Sequence, residues 1–414
     1  MKEYNTSNIR NIAILGHLGC GKTSFGEALL YVGKAIEKKG EVERKTTVGD
    51  YSVEEQARQT TLISSLLPVE WKGYKFNFLD TPGSEEFIGD IENVLSAADA
   101  AVVLVDATKG AEVGTERVWE ELVKRSLPTI IFVNKMDKEN VKMDEVIESI
   151  HTKLSKKAVP FALEIGGTNN FKGYAKVLEK EAIYVDGTKG EAPSDLSEKI
   201  DEIYGELMEQ AAEADEELMM KYFDTMELDK EEVVAGLKIG VHKAEMFPIL
   251  VGSGLKNVGV ETFLDMAIDF LPSPAEVKTK TGKYKGQEVV RQISESDFLS
   301  AYCFKTIIDP FVGTINFFKV YSGSVKVGQD IYIAETDTVL KVPQLFTMMG
   351  KTQIPLNVVN AGDIACIAKL SEITNGVTFC DKKAPITFDK VVHPTPVIYV
   401  GIQPKNKKDY DKIS

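Results

Sequence analysis

Gly16-His17-Leu18-Gly19-Cys20-Gly21-Lys22-Thr23 is the stretch from which the fold can be read. An apolar run, residues 12–15, leads into it, and an amphipathic helical pattern, residues 23–32, leaves it. The spacing is G-x-x-x-x-G-K-T. Glycines at these places let consecutive backbone N–H groups curl around phosphate oxygens, and the following helix N-terminus adds positive potential. Lys22 is then expected to reach the outer phosphates and the Thr23 hydroxyl to bind Mg²⁺. His17, Leu18, Gly19 and Cys20 form the body of the loop, with Cys20 read as a small residue that fits rather than a redox group.

Three more fragments follow in order, each after an apolar run. Asp80-Thr81-Pro82-Gly83 follows residues 76–79, Asn134-Lys135-Met136-Asp137 follows 129–133, and Ser253-Gly254-Leu255 follows 247–251. Asp80 can hold Mg²⁺ through water, and the Gly83 N–H can sense a terminal phosphate. Alone, such a tetrapeptide is a common turn; behind a phosphate loop it gains meaning. Asn134 and Lys135 open a loop whose Asp137 can accept two hydrogen bonds from the guanine N1 and N2 donors. Adenine lacks that donor pair, so a buried carboxylate would be left unpaired against it. A helix N-cap is the ordinary alternative for Asp137. Ser253, Gly254 and Leu255 would offer backbone contacts to the base oxygen. The four fragments together imply a site for GTP and GDP.

A second magnesium-binding hydroxyl is expected from the polar stretch 54–61, which has little secondary-structure signal. Thr61 is the candidate, a threonine that would engage only when the γ-phosphate is present. On the residues alone it competes with Thr60 and Thr46.

Short, nearly continuous apolar runs at 11–15, 76–79, 100–105, 129–133 and 247–251 suit strands covered on both faces. Helical patterns at 23–32, 85–97, 112–126 and 259–270 alternate with them. This is an α/β pattern: a P-loop GTPase domain built on a doubly wound, mostly parallel sheet, over residues 1–272. An α+β insertion of about residues 157–245 interrupts it. Its stretch 192–244 is acidic and helical, either a solvated face or a docking surface for a basic partner. Beyond Leu271-Pro272-Ser273-Pro274 a polar, Lys-rich linker is expected. Runs rich in β-branched and aromatic residues at 298–308, 313–321, 330–333, 339–345 and 364–368 then predict a small antiparallel β-barrel over 287–392. A last strand, 397–402, is expected within 393–414.

The chain has 414 residues, a net charge of −14 and four scattered cysteines, none with C-x-x-C spacing. Neither a zinc site nor a disulfide framework is expected, and a reducing, cytoplasmic location fits better. No run is long enough to cross a bilayer, so no membrane partner is expected. Residues 271–414 carry 18 basic and 14 acidic side chains, which leaves the acidic excess in residues 1–270. That distribution argues against wrapping DNA, but it leaves room for docking on a nucleoprotein through a local patch. A monomer is expected.

These residues resemble the translational GTPases, specifically elongation factor G, over essentially the whole chain. The likeness rests on Gly-His-x-x-x-Gly-Lys-Thr, on Arg58-Gln59-Thr60-Thr61-Leu62 beside the family's R-G-I-T-I, and on Asp80–Gly83 and Asn134–Asp137. Further matches are Trp119, the insertion segment Ala211-Ala212-Glu213-Ala214-Asp215-Glu216-Glu217-Leu218, Asp309-Pro310-Phe311-Val312-Gly313, Val320-Tyr321-Ser322-Gly323 and Gly401-Ile402-Gln403-Pro404-Lys405. The resemblance implies Thr61 as a magnesium ligand and the ribosome as partner, through ribosomal RNA and proteins. It also implies that the chain stops at the opening of the family's third domain. Departures accompany the match. Ser84 stands where the family carries the His that orients the attacking water, Gly19 replaces the usual Asp, and Gln59 replaces the usual Gly. A serine hydroxyl is shorter and carries no cation, so weakened hydrolysis is expected. The departures imply an elongation factor G-like paralogue; a ribosomal protection-type GTPase and a non-hydrolysing ribosome-binding factor are the alternatives.

Overall fold

The apolar runs of the first 270 residues stack into one seven-stranded sheet. In this computed structural model residues 2–167, 170–309, 312–393, 395 and 398–406 are described. Strands β1 (Ile9–Gly16), β2 (Ser65–Trp71), β3 (Tyr74–Asp80), β4 (Ala100–Asp106), β5 (Thr129–Asn134), β6 (Ala158–Pro160) and, later in the chain, β11 (Phe247–Val251) lie in the order β2-β3-β1-β4-β5-β11-β6. Every neighbouring pair is parallel except β2 with β3. β1, β4, β5 and β11 are buried at every residue, which explains their mostly apolar sequences. Helices α1 (Lys22–Val32), α2 (Val53–Arg58), α3 (Ile88–Ala97), α4 (Val113–Lys124), α5 (Met143–Lys153) and α9 (Val260–Phe270) connect these strands or pack against them.

The insertion divides into two parts. Strands β7 (Ala162–Ile165), β8 (Gly173–Lys176), β9 (Glu181–Tyr184) and β10 (Lys189–Glu191) form an antiparallel sheet. Helices α6 (Ser197–Glu213), α7 (Glu216–Thr225) and α8 (Lys230–His242) cover the acidic stretch. α6 and α8 bury Ile200, Leu207, Val233 and Leu237, whereas α7 buries no residue. β6, at the head of the insertion, extends the main sheet by pairing with β11.

The expected linker is structured. After α10 (Pro274–Val277), β12 (Thr279–Tyr284) and β13 (Gln287–Gln292) form a hairpin. The remaining strands form an eight-stranded antiparallel sheet. It comprises β14 (Ser300–Asp309), β15 (Gly313–Ser322), β17 (Asp330–Ile333), β18 (Thr338–Lys341), β19 (Leu345–Met349), β20 (Thr352–Leu356), β22 (Ile364–Ala368) and β23 (Thr378–Cys380). β16 (Ser324–Lys326) and β21 (Val358–Asn360) pair beside it. The run expected at 339–345 is two strands, because residues 342–344 leave β18 before β19 begins. Pro310 and Phe311 of the segment Asp309–Gly313 lie outside the described residues. The strand expected at 397–402 is not formed over described residues 398–402. Ile398, Tyr399, Val400 and Ile402 are all exposed there, and among the described residues no strand pairs with them.

The β-rich unit packs on the nucleotide unit through buried polar contacts. Lys75 Nζ donates to both carboxylate oxygens of Asp363 at 2.8 and 2.7 Å, and Asn77 Nδ2 reaches the same carboxylate at 2.9 Å. Lys319 Nζ meets Asp99 at 2.5 Å and the Ala97 carbonyl at 3.0 Å. Lys305 Nζ donates to the Ser64 hydroxyl at 2.6 Å and lies 3.6 Å from Asp90. Each lysine is at most 6% exposed, so each charge needs these partners. Among the described residues no helix is long and apolar enough to cross a membrane.

Candidate nucleotide site

All four fragments meet at the carboxyl edge of the main sheet, where open α/β sheets hold ligands. The loop after β1 turns through Gly19 and Gly21, whose φ values of 80° and 98° lie in the left-handed region. A Cβ on Gly21 would stand 2.5 Å from Asn134 Nδ2, so the loop also needs glycine for space. A cleft of about 530 Å³ opens beside it, lined by Leu18, Gly19, Gly21, Lys22, Thr23, Thr61, Gly83, Asn134, Lys135, Asp137 and Leu255.

Lys22 is 6% exposed and folds onto its own loop, donating to the Gly16 and His17 carbonyls at 2.9 and 3.0 Å. An arriving phosphate would take over a cation already held at the cleft wall. His17 faces away from the cleft: its Nδ1 accepts the Gly114 N–H at 3.2 Å, and Nε2 lies 3.7 Å from Glu112. Buried Cys20 is held from the other side, its carbonyl accepting from Asn134 Nδ2 at 2.9 Å. Burial pushes the Cys20 thiol above its ordinary value, which suits a packing role.

The base end is a closed set of contacts. Asn134 Oδ1 accepts the Gly254 N–H at 2.8 Å, and Ser253 Oγ donates to Asp137 Oδ1 at 2.5 Å. Lys135 Nζ bridges the Gly19 carbonyl and Asp106 Oδ2, both at 2.6 Å. Asp106 is absent from the sequence reading. It ends β4 without any motif, and only the sheet brings it under Lys135.

The metal end carries a second residue that sequence missed. Asp50 and Asp80 are 3% and 0% exposed, yet none of their four carboxylate oxygens makes a well-formed hydrogen bond in the chain; the Thr23 and Thr61 hydroxyls beside Asp50 and the Thr81 N–H beside Asp80 fall short of one. The Thr23 and Thr61 hydroxyls lie near Asp50 but bond each other at 3.1 Å. Burial lifts Asp50 to about 6. Burial, and then the neighbouring Asp50 charge, lifts Asp80 to about 8. Two orphaned carboxylates beside two hydroxyls fit a hard divalent cation. Among the described residues no three His, Cys, Asp or Glu side chains gather around a point, so hydroxyls must complete such a donor set. Thr61 sits three residues beyond α2, in the stretch expected to lack structure. A capping box between Ser52 and Glu55 starts that helix, and Gln59 closes it with φ 53°. Thr60 also lines the cleft, whereas Thr46 does not.

Ser84 lies elsewhere. Its hydroxyl reaches Glu86 at 3.4 Å, and it lines a separate cavity of about 250 Å³ with Glu85, Ile88 and Arg117. An ion pair between Arg117 and Glu85 ties this segment to α4.

A glycine loop with a lysine, a helix N-terminus and a cleft-lining carboxylate on one mostly parallel sheet have the arrangement of a nucleotide-binding site. Residues 7–273 match the family model described as Elongation factor Tu GTP binding domain, and residues 313–380 match that described as Elongation factor Tu domain 2. The chain belongs to this family of translational GTPases. It is also similar to a protein of Thermus thermophilus of known crystal structure, at 28% identity and a TM-score of 0.87. The match covers 98% of this chain and 59% of that one, so this chain spans about 59% of that protein's length.

Proposed function

We propose that this chain is a Mg²⁺-dependent GTP switch of the elongation factor G-like type that acts on the ribosome, with weakened hydrolysis. The observation that carries the nucleotide part is the convergence of Lys22, Thr61, Asn134 and Asp137 on one cleft, with Asp80 buried near Lys22. Lys22 exchanges its two carbonyl partners for phosphate oxygens, and the loop amides complete the anion cradle. Asp137, held by Ser253, accepts from the guanine N1 and N2 donors. The Leu255 region faces the base oxygen. Thr23, Thr61, Asp80 and Asp50 are the residues that would hold Mg²⁺, which when bound would supply positive charge against the phosphates. Thr61 and Gly83 flank the terminal-phosphate end, so their positions depend on whether a γ-phosphate is present.

Partner and hydrolysis rest on different support. The ribosome follows from family membership and from a β-rich unit fixed against the nucleotide unit. Weak hydrolysis follows from Ser84, whose hydroxyl is engaged with Glu86 outside the cleft. That same contact favours a second reading, a ribosome-binding factor for which GTP is a structural ligand. Titration with GTP, GDP and ATP should give tight binding of the first two and none of the third; a preference for ATP would end the proposal. Ribosome-stimulated phosphate release by the native chain and by Ser84→His separates the two readings. Release that is slow and rises in the variant supports the first, and no release from either supports the second.

A further inference from the structure

We infer that Lys39, outside the cleft, is a positioning residue that presets the base-contact loop and couples it to the segment leading to Thr61. The inference rests on the guanine-nucleotide reading of the cleft. Lys39 is half-buried and its ammonium spends all three protons on one loop. It donates to the Gly254 carbonyl, to the Leu255 carbonyl at 3.0 Å and to Asn257 Oδ1 at 2.6 Å. Glu27, Asp137 and Glu41 are the acidic groups around it. No motif marks this lysine, and it is not among the residues lining the cleft.

Peptide planarity turns these contacts into function. In a trans peptide the carbonyl and the next N–H point in opposite directions. Drawing the Gly254 oxygen towards Lys39 therefore turns the Leu255 N–H away from it, while the Lys256 N–H is held separately by Ser253 Oγ at 3.2 Å. From the other side Asn134 Oδ1 holds the Gly254 N–H, so the loop is gripped on both faces. Donors aimed in advance at the base oxygen cost no ordering when nucleotide arrives.

The other end of the coupling is Glu27 on α1, 1% exposed. Its two oxygens accept the N–H groups of Gly40 at 2.9 Å and Val48 at 2.5 Å. Residues 40–48 are thereby closed into a loop whose first residue follows Lys39 and whose last stands two before Asp50. A shift in this loop moves Lys39, and through it the base contacts.

The test is the rate at which the chain, loaded with fluorescent methylanthraniloyl-GDP, releases it into excess GDP. Lys39→Met should raise the rate about 10-fold, the loss expected for hydrogen bonds to a charged donor. Lys39→Arg should restore most of the retention. Asn257→Ala, which removes one acceptor, should give a smaller rise and serves as the second variant if Lys39→Met folds poorly. The affinity of 2-aminopurine riboside diphosphate, which lacks the base oxygen, should be the same for wild type and Lys39→Met; a general loosening would weaken it too. Equal GDP release from wild type and both variants overturns this inference alone. A wild-type chain that holds no guanine nucleotide overturns the cleft reading and the inference together.

Discussion

Replacing Asp50 by Asn should move the stability of this protein in opposite directions with and without nucleotide. Both oxygens of Asp50 are buried without a well-formed hydrogen bond, and burial raises the acid from 3.8 to about 6. Holding it ionised at pH 7.5 therefore costs about 3 kcal/mol relative to the unfolded chain. Asn removes that cost and buries an amide for about 1 kcal/mol. The nucleotide-free protein should gain about 2 kcal/mol, a rise of a few degrees in Tm. With Mg²⁺ and GDP bound, the carboxylate instead holds the cation's water, a charge-assisted contact of about 1.5–3 kcal/mol. Asp50→Asn should then need roughly 10–100-fold more Mg²⁺ to reach half-maximal stabilisation. Thermal melts in EDTA and across a Mg²⁺ titration at fixed GDP read both effects. A variant less stable than wild type in EDTA, or one with an unchanged Mg²⁺ midpoint, would refute the assignment of Asp50 to the cation.

The remaining expectations are as direct. Asp50 and Asp80 are acids raised to about 6 and about 8, so their contribution to nucleotide-free stability is full below about pH 4 and lost as pH climbs through those values. Melting from pH 5 to 8.5 should show this decline in EDTA and a flatter profile with Mg²⁺ and GDP. Gly21→Ala sets a Cβ at φ 98° and 2.5 Å from Asn134 Nδ2, and equilibrium dialysis should show GDP binding reduced at least 10-fold. Asp363→Ala leaves buried Lys75 without its carboxylate and should cost about 3–5 kcal/mol in urea unfolding. Adding Lys75→Met should recover much of that loss; an additive pair would argue against the interface described.

The strands that carry chemistry were legible because they are buried on both faces and read as nearly continuous apolar runs. β2 was not. It contains Pro68, which argues against a strand, and it survives only because it lies at the sheet edge. The hairpin of β12 and β13 escaped notice because most of its side chains face solvent, so Thr279 to Gln292 reads as a polar linker. Of the expected site residues, Leu18, Gly19, Gly21, Lys22, Thr23, Thr61, Gly83, Asn134, Lys135, Asp137 and Leu255 line the cleft, whereas Gly16, His17, Cys20, Asp80, Ser253 and Gly254 do not and Ser84 lines a separate cavity. Asp50, Asp106 and Lys39 were not found. Each is a single charged residue whose neighbours at the site come from elsewhere in the chain, and no local pattern announces such a meeting.

The three buried lysines between the two units also set how motion can travel. An oily seam could slide, trading one methyl contact for another at little cost. An ammonium in a dry seam has one address, and a small displacement strands it from its carboxylate. Lys305 is addressed to Ser64, three residues from Thr61, and stands beside Asp90 in the helix after Asp80–Gly83. Ser64 N–H in turn donates to that carboxylate at 2.5 Å. Rearrangement of Thr61 or of the Asp80–Gly83 turn must therefore either carry the β-rich unit along as a rigid passenger or leave a lysine without its counter-charge.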